Sequence, residues 1–226
     1  MDAGAGTGMA AGKIANAEAH AERLDRARLG LKLVLVPVGL LFVVLTVVYM
    51  VRHGLLSSGE TEEHPVRGWG KVRLPNGLFV FNTAVLLLSS MTMEGLRRAS
   101  RRGIALAQVK SIPGVFVSEE STGLWLAATV GLGMLFLVGQ WQAWRVLAQR
   151  GFYFSANPSS SFTYLLTGIH AVHLAGGIIG LLWVAVSSWG KHSPESRSIR
   201  IEMLAWYWHF MALLWVYVLA LLEWGG

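Results

Sequence analysis

Five stretches of this chain stay apolar long enough to cross a lipid bilayer: approximately Leu31–Val51, Gly77–Leu96, Gly123–Leu147, Phe162–Trp189 and Met203–Trp224. A hydrocarbon core about 30 Å thick takes about 20 residues of helix at 1.5 Å each. The runs are continuously apolar, without the polar–apolar alternation of barrel strands. Helices also close their own backbone hydrogen bonds, as lipid requires. The pattern therefore predicts an all-α integral membrane bundle of five transmembrane helices, occupying residues 31–226 behind a cytoplasmic N-terminal tail of residues 1–30. The fourth run is the longest and has length to spare for tilt. Polar and turn-forming segments separate the runs: Ser57–Gly59 with Glu60, Glu62 and Glu63; Arg97–Gly103; Asn157–Ser161; and Lys191–Arg200.

The first 30 residues lack the short apolar core and small-residue cleavage site of a secretory signal. They are rich in Ala and Gly and carry Glu18, Glu22, Arg23, Asp25, Arg26 and Arg28, so the first span is expected to stay in the mature chain. Residues 1–28 fit either a short amphipathic helix on the membrane surface or a disordered tail.

With five spans, the N-terminal segment and the loops at 97–122 and 190–202 share one side. With Lys32 assigned to the N-terminal flank, that side holds 13 of the 19 Lys and Arg. The positive-inside rule then places the N-terminus in the cytoplasm and the C-terminus outside. Composition agrees with lipid as part of the solvent. Only 14% of residues are charged and 54% are hydrophobic, against about 25% charged in soluble domains. The net charge of +6 belongs to topology and anionic headgroups before nucleic acid. With no cysteine, the chain forms no disulfide, thiolate metal site or cysteine-ligated copper or iron–sulfur centre.

Polar groups inside spans are costly, which makes them the place to seek chemistry. His170 and His173 lie one helical turn apart in the fourth span, the spacing of a metal-ligand pair. A di-iron site would add Glu from facing helices, yet the span middles hold no Asp or Glu. Histidines bonded to neighbouring helices are the plainer reading, and both stay open. Trp206, Tyr207, Trp208 and His209 open the fifth span, while Gln140, Trp141, Gln142 and Trp144 close the third. Each set fits an interfacial aromatic belt. The first set also fits a lipid-headgroup or subunit-docking site, with Arg200, Glu202, Arg97 and Arg98 supplying charge. Gly176, Gly177 and Gly180 suit close helix packing. No phosphate-binding loop, zinc-protease motif or serine-hydrolase arrangement is visible, and no central charged ring marks an ion pathway.

Taken in order, these motifs resemble subunit III of cytochrome c oxidase and related quinol oxidases. The second span carries Leu74-Pro75, Phe81-Asn82-Thr83 and Leu87-Leu88-Ser89-Ser90, and the third carries Gly139-Gln140 with Trp144. The fourth has Thr167-Gly168-Ile169-His170-Ala171-Val172-His173 followed by Gly176. The fifth has Glu202, then Trp206-Tyr207-Trp208-His209-Phe210 and Trp215. The resemblance implies the five-span form of a subunit without haem or copper of its own. It implies haem and copper in partner subunits I and II, packing against subunit I, phospholipid in a cleft, support of proton uptake and turnover, and residence in the bacterial plasma membrane, with a larger respiratory supercomplex as a further partner.

Three positions depart from the family. Val38, beside Pro37, stands where many members carry an intramembrane Glu; Ala143 replaces the Glu of Gln-x-x-Glu-Trp; and Ala212 replaces the Asp of Trp-His-Phe-x-Asp. A proton role that depends on those carboxylates does not carry over. Two other readings remain: an accessory subunit of a nitric oxide reductase, and a free-standing membrane protein binding haem or metal through His170, His173 and His209.

Overall fold

A computed structural model describes residues 3–57, 76–109, 120–151, 158–187 and 194–224. The described residues form five helices, all long and apolar enough to cross a membrane: α1 (Ala3–Ser57), α2 (Asn76–Val109), α3 (Glu120–Gln149), α4 (Pro158–Ser187) and α5 (Pro194–Trp224). The Glu60–Glu63 segment, Leu74-Pro75, Asn157, Trp189 and Lys191 lie outside the described residues.

Helix ends differ from the apolar limits for local reasons. The α2 helix runs through Arg97–Gly103, where the polar run suggested a connection. Arg97 and Arg98 fold back onto Glu94 one turn earlier, a pairing that stabilises helix at the spacings i, i+3 and i, i+4. The α5 helix likewise begins at Pro194, well before the apolar run, and takes in Arg200 and Glu202. Proline is favoured in a helix's first turn because its missing N–H would have had no partner there; Pro158 opens α4 in the same way. After α3, Gly151 adopts φ 83°, the left-handed conformation that closes helices, and its N–H reaches the Ala148 carbonyl at 3.0 Å.

The 55 residues of α1 form one helix about 80 Å long at 1.5 Å per residue. Its N-terminal part is continuous with the first span, in place of a separate surface helix or a tail. Surface pairs Glu22–Arg26 and Asp25–Arg28 decorate the polar section.

Helices α2, α3, α4 and α5 form a closed four-helix bundle in which α2 packs on α3 and α5, and α4 packs on α3 and α5. Helix α1 lies outside, against α5 and to a lesser extent α4, with no packing on α2 or α3 among the described residues. The core holds Trp208 and Trp215 from α5, Phe79, Leu86 and Met93 from α2, Phe136 from α3, Leu166, Leu174 and Leu181 from α4, and Phe42 from α1.

Candidate functional site

Successive helical positions turn by about 100°, so the four residues Trp206–His209 cannot share a face. They divide four ways. Trp206 points outward at 54% exposure, and it alone has the exposure expected of a belt. The Tyr207 hydroxyl donates to the His173 carbonyl of α4 at 2.8 Å. Trp208 is fully buried, and its indole N–H donates to Ser89 Oγ of α2 at 3.2 Å. Ser89 in turn donates to the Thr129 carbonyl of α3 at 3.2 Å. His209 meets Ser90 of α2 through Nδ1.

Glycines make the slot for the Trp208 ring. A Cβ at Gly133 would come within 3.0 Å of that ring, and one at Gly177 within 3.2 Å. A Cβ at Gly180 would come within 2.9 Å of Leu204. Gly176, expected on the same packing face, instead points away from the bundle with nothing within 4 Å of its Cβ position. One position separates Gly176 from Gly177, which is enough to move from the outside of α4 to its α5 contact.

Two turns beyond Trp208, Trp215 repeats the arrangement. Its indole N–H donates to Thr83 Oγ1 of α2 at 3.0 Å, its ring stacks on Phe79, and Phe136 of α3 meets it edge-on at 4.9 Å. The second-span and fifth-span motifs thus face each other along an antiparallel seam: Thr83 with Trp215, Ser89 with Trp208, Ser90 with His209.

At one end the seam becomes ionic. Glu94 accepts from Arg97 at 3.2 Å and Arg98 at 2.9 Å, and its Oε2 lies 3.6 Å from His209 Nε2. Arg101 donates to Glu202 at 2.7 Å across α2 and α5. Arg200 does not join Glu202. It lies over the Trp183 ring of α4, 5.1 Å from the centroid, while its Nε–H donates to the Ser196 carbonyl. The spacing of Glu94 to Arg97 and Arg98, i, i+3 and i, i+4, is the sequence signal for this cluster.

The histidines of α4 diverge. His173 is half-buried beside Phe42 of α1, with Nδ1–H donated to its own turn at the Ile169 carbonyl, 2.8 Å away. His170 is fully buried between Phe136 and Trp215, and neither ring nitrogen has a hydrogen-bond partner. His209 sits apart at the ionic end. Among the described residues, no three or more His, Cys, Asp or Glu gather as a metal site. Gln140, expected near the interface, is buried at 1% exposure with both amide atoms unpartnered, as are those of Asn82. Each orphaned buried group costs about 1–3 kcal/mol, and neither residue type nor spacing announced these three as a set. Val38, Ala143 and Ala212 are all buried core positions.

No family model matches the chain. Curated relatives do. A 108-residue stretch is 32% identical to a protein of Mycobacterium tuberculosis named "Probable cytochrome c oxidase subunit 3", covering 46% of this chain and 53% of the relative. The protein of that name in Nocardia farcinica is 29% identical over 139 residues, 59% of each chain. The chain is similar to cytochrome c oxidase subunit 3. The protein named "Cytochrome c oxidase subunit 3" in Paracentrotus lividus is 27% identical over 147 residues, 65% of this chain and 50% of the relative. The chain spans about half the length of the subunit 3 relatives it matches. The family resembled by the motifs is the one the relatives name, and five apolar helices agree with its five-span form.

Proposed function

We propose that the chain is the non-catalytic subunit III of a haem–copper terminal oxidase in aerobic respiratory electron transport. The observation that carries this reading is the similarity to proteins named cytochrome c oxidase subunit 3 in Mycobacterium tuberculosis, Nocardia farcinica and Paracentrotus lividus. The five-helix bundle supports it. In this role the haem and copper belong to partner subunits I and II, and this chain packs against subunit I, binds phospholipid and sustains stability and turnover. Its own contribution is a shaped, lipid-compatible surface held rigid by the α2–α5 seam. Outward groups at the ionic end suit headgroup or subunit contact: Trp206, Arg98, and Arg200 over Trp183. The excess of Lys and Arg supports a cytoplasmic N-terminus in a bacterial plasma membrane. With Val38, Ala143 and Ala212 all apolar, no proton-carrying role is assigned to those positions.

The test is affinity purification of the chain from native membranes in mild detergent, with an optical spectrum and identification of co-purifying proteins. A haem- and copper-bearing subunit in near-equal amount is expected. A colourless chain arriving alone, where other respiratory complexes stay intact, would contradict the proposal. Haem on the lone chain would favour the histidine-ligand reading.

A further inference from the structure

We propose that Asn82, Gln140 and His170 enclose a bound cluster of water in the middle of the four-helix bundle. The three side chains come from α2, α3 and α4, and none exceeds 1% exposure. All six of their polar side-chain atoms lack a hydrogen-bond partner: Nδ2 and Oδ1 of Asn82, Nε2 and Oε1 of Gln140, and both ring nitrogens of His170. Buried polar groups are almost always satisfied by protein or ordered water, so three wholly unsatisfied side chains in one bundle call for a ligand.

Neighbouring contacts place them at one level. On α3, Phe136 lies a turn before Gln140 and meets the His170 ring at 5.9 Å. Trp144 lies a turn after Gln140 and donates to Thr167, which is a turn before His170 on α4. Gln140 is therefore held between two contacts that bracket the His170–Thr167 turn. Asn82 rests directly on Gly139, whose missing side chain leaves the space the amide occupies. Thr83, its chain neighbour, holds Trp215, whose ring lies 5.1 Å from His170. Helices α2, α3 and α4 thus converge on one layer, with Trp215 of α5 beside it.

The donor set selects the ligand. Two amides and one imidazole offer donors and acceptors in balance and no formal charge. A cation would have no carboxylate and an anion no cation, and an uncompensated ion this deep in a membrane bundle is strongly disfavoured. Neutral water fits, since each molecule makes 2–4 bonds to buried polar groups. Six orphaned atoms correspond to about two or three water molecules at that bonding capacity. This inference concerns the bundle interior and holds whether or not the chain joins an oxidase.

The experiment is water-edited solid-state NMR on the full chain, labelled with 15N-histidine and reconstituted in phosphatidylcholine bilayers. His170 is assigned by the signal lost in His170→Gln. The expected result is polarisation transfer from water to the His170 ring nitrogens, building up as fast as at solvent-accessible histidines. In Gln140→Leu, which removes one wall of the site, that build-up should slow several-fold with the His173 signal unchanged. A His170 ring receiving no water polarisation in the native chain would overturn the proposal. So would build-up in Gln140→Leu as fast as in the native chain.

Discussion

Helices α1 and α5 are both long enough to span a bilayer, yet they are used in opposite ways. Helix α1 contains the more apolar span, but only 22% of its apolar window is buried, against 44% in α5. Leu33, Val36, Leu40, Val44 and Val47 of α1 face outward, whereas α5 places Trp208 and Trp215 at the centre. In lipid, an apolar side chain gains little by turning inward, because the surroundings are already apolar. What α5 adds to the apolar core is side chains with a polar tip to satisfy, Trp208 and Trp215, one of them in a slot of glycines that lets its ring approach. That is why α5, the less apolar helix, lies at the core. Helix α1 is tied on by a few contacts: the Thr46–Tyr217 hydroxyl pair at 2.7 Å, Phe42 against His173, and Tyr49 against Phe162.

Breaking the seam should have the largest effect. Trp208→Ala empties the slot between Gly133 and Gly177 and removes the bond that Ser89 Oγ accepts, leaving Ser89 only its own bond to the Thr129 carbonyl; a loss of about 3–5 kcal/mol is expected in detergent unfolding of the purified chain. Gly139→Val drives a side chain into Asn82 and should cost about 1–3 kcal/mol by overpacking, read as lower yield and an earlier unfolding midpoint. Thr46→Val removes the hydroxyl pair holding α1 and should cost about 0.6 kcal/mol, the average for such bonds in membrane proteins. Proteolytic nicking of α1 should rise in that variant while α2–α5 stays intact. Trp206→Leu, on the outward face, should change the unfolding of the isolated chain by no more than about 0.5 kcal/mol. A loss as large as that of Trp208→Ala would erase the distinction between outward and inward tryptophans.

The spans were legible because length and apolarity are what a bilayer demands. Their facing was not. Trp206 and Trp208 are the same residue type two positions apart, and only the pairing of α5 with α2 decides which enters the core. Gly176 and Gly177 pose the same problem on α4. Gln140 follows it too: beside Trp141 it resembles a belt residue, but it lies on the face shared with Phe136 and Ala143. The ionic end was legible in composition and illegible in partnership. Arg101, not Arg200, reaches Glu202, because α2 continues as helix past the point where its polarity suggested a stop. Resemblance motifs lie on both α2 and α5, and nothing in their order along the chain reveals that the two helices face each other.

The α2–α5 seam organises the bundle, and a double-mutant cycle between Ser89 and Trp208 probes it at its buried centre. Ser89→Ala and Trp208→Phe are measured singly and together in the purified, lipid-reconstituted chain, with unfolding free energy as the readout. A favourable coupling of about 0.6 kcal/mol, within the measured ceiling of about 1.7 kcal/mol for interhelical bonds in lipid, is predicted. Strictly additive losses would mean that the two side chains do not interact, and would contradict the seam.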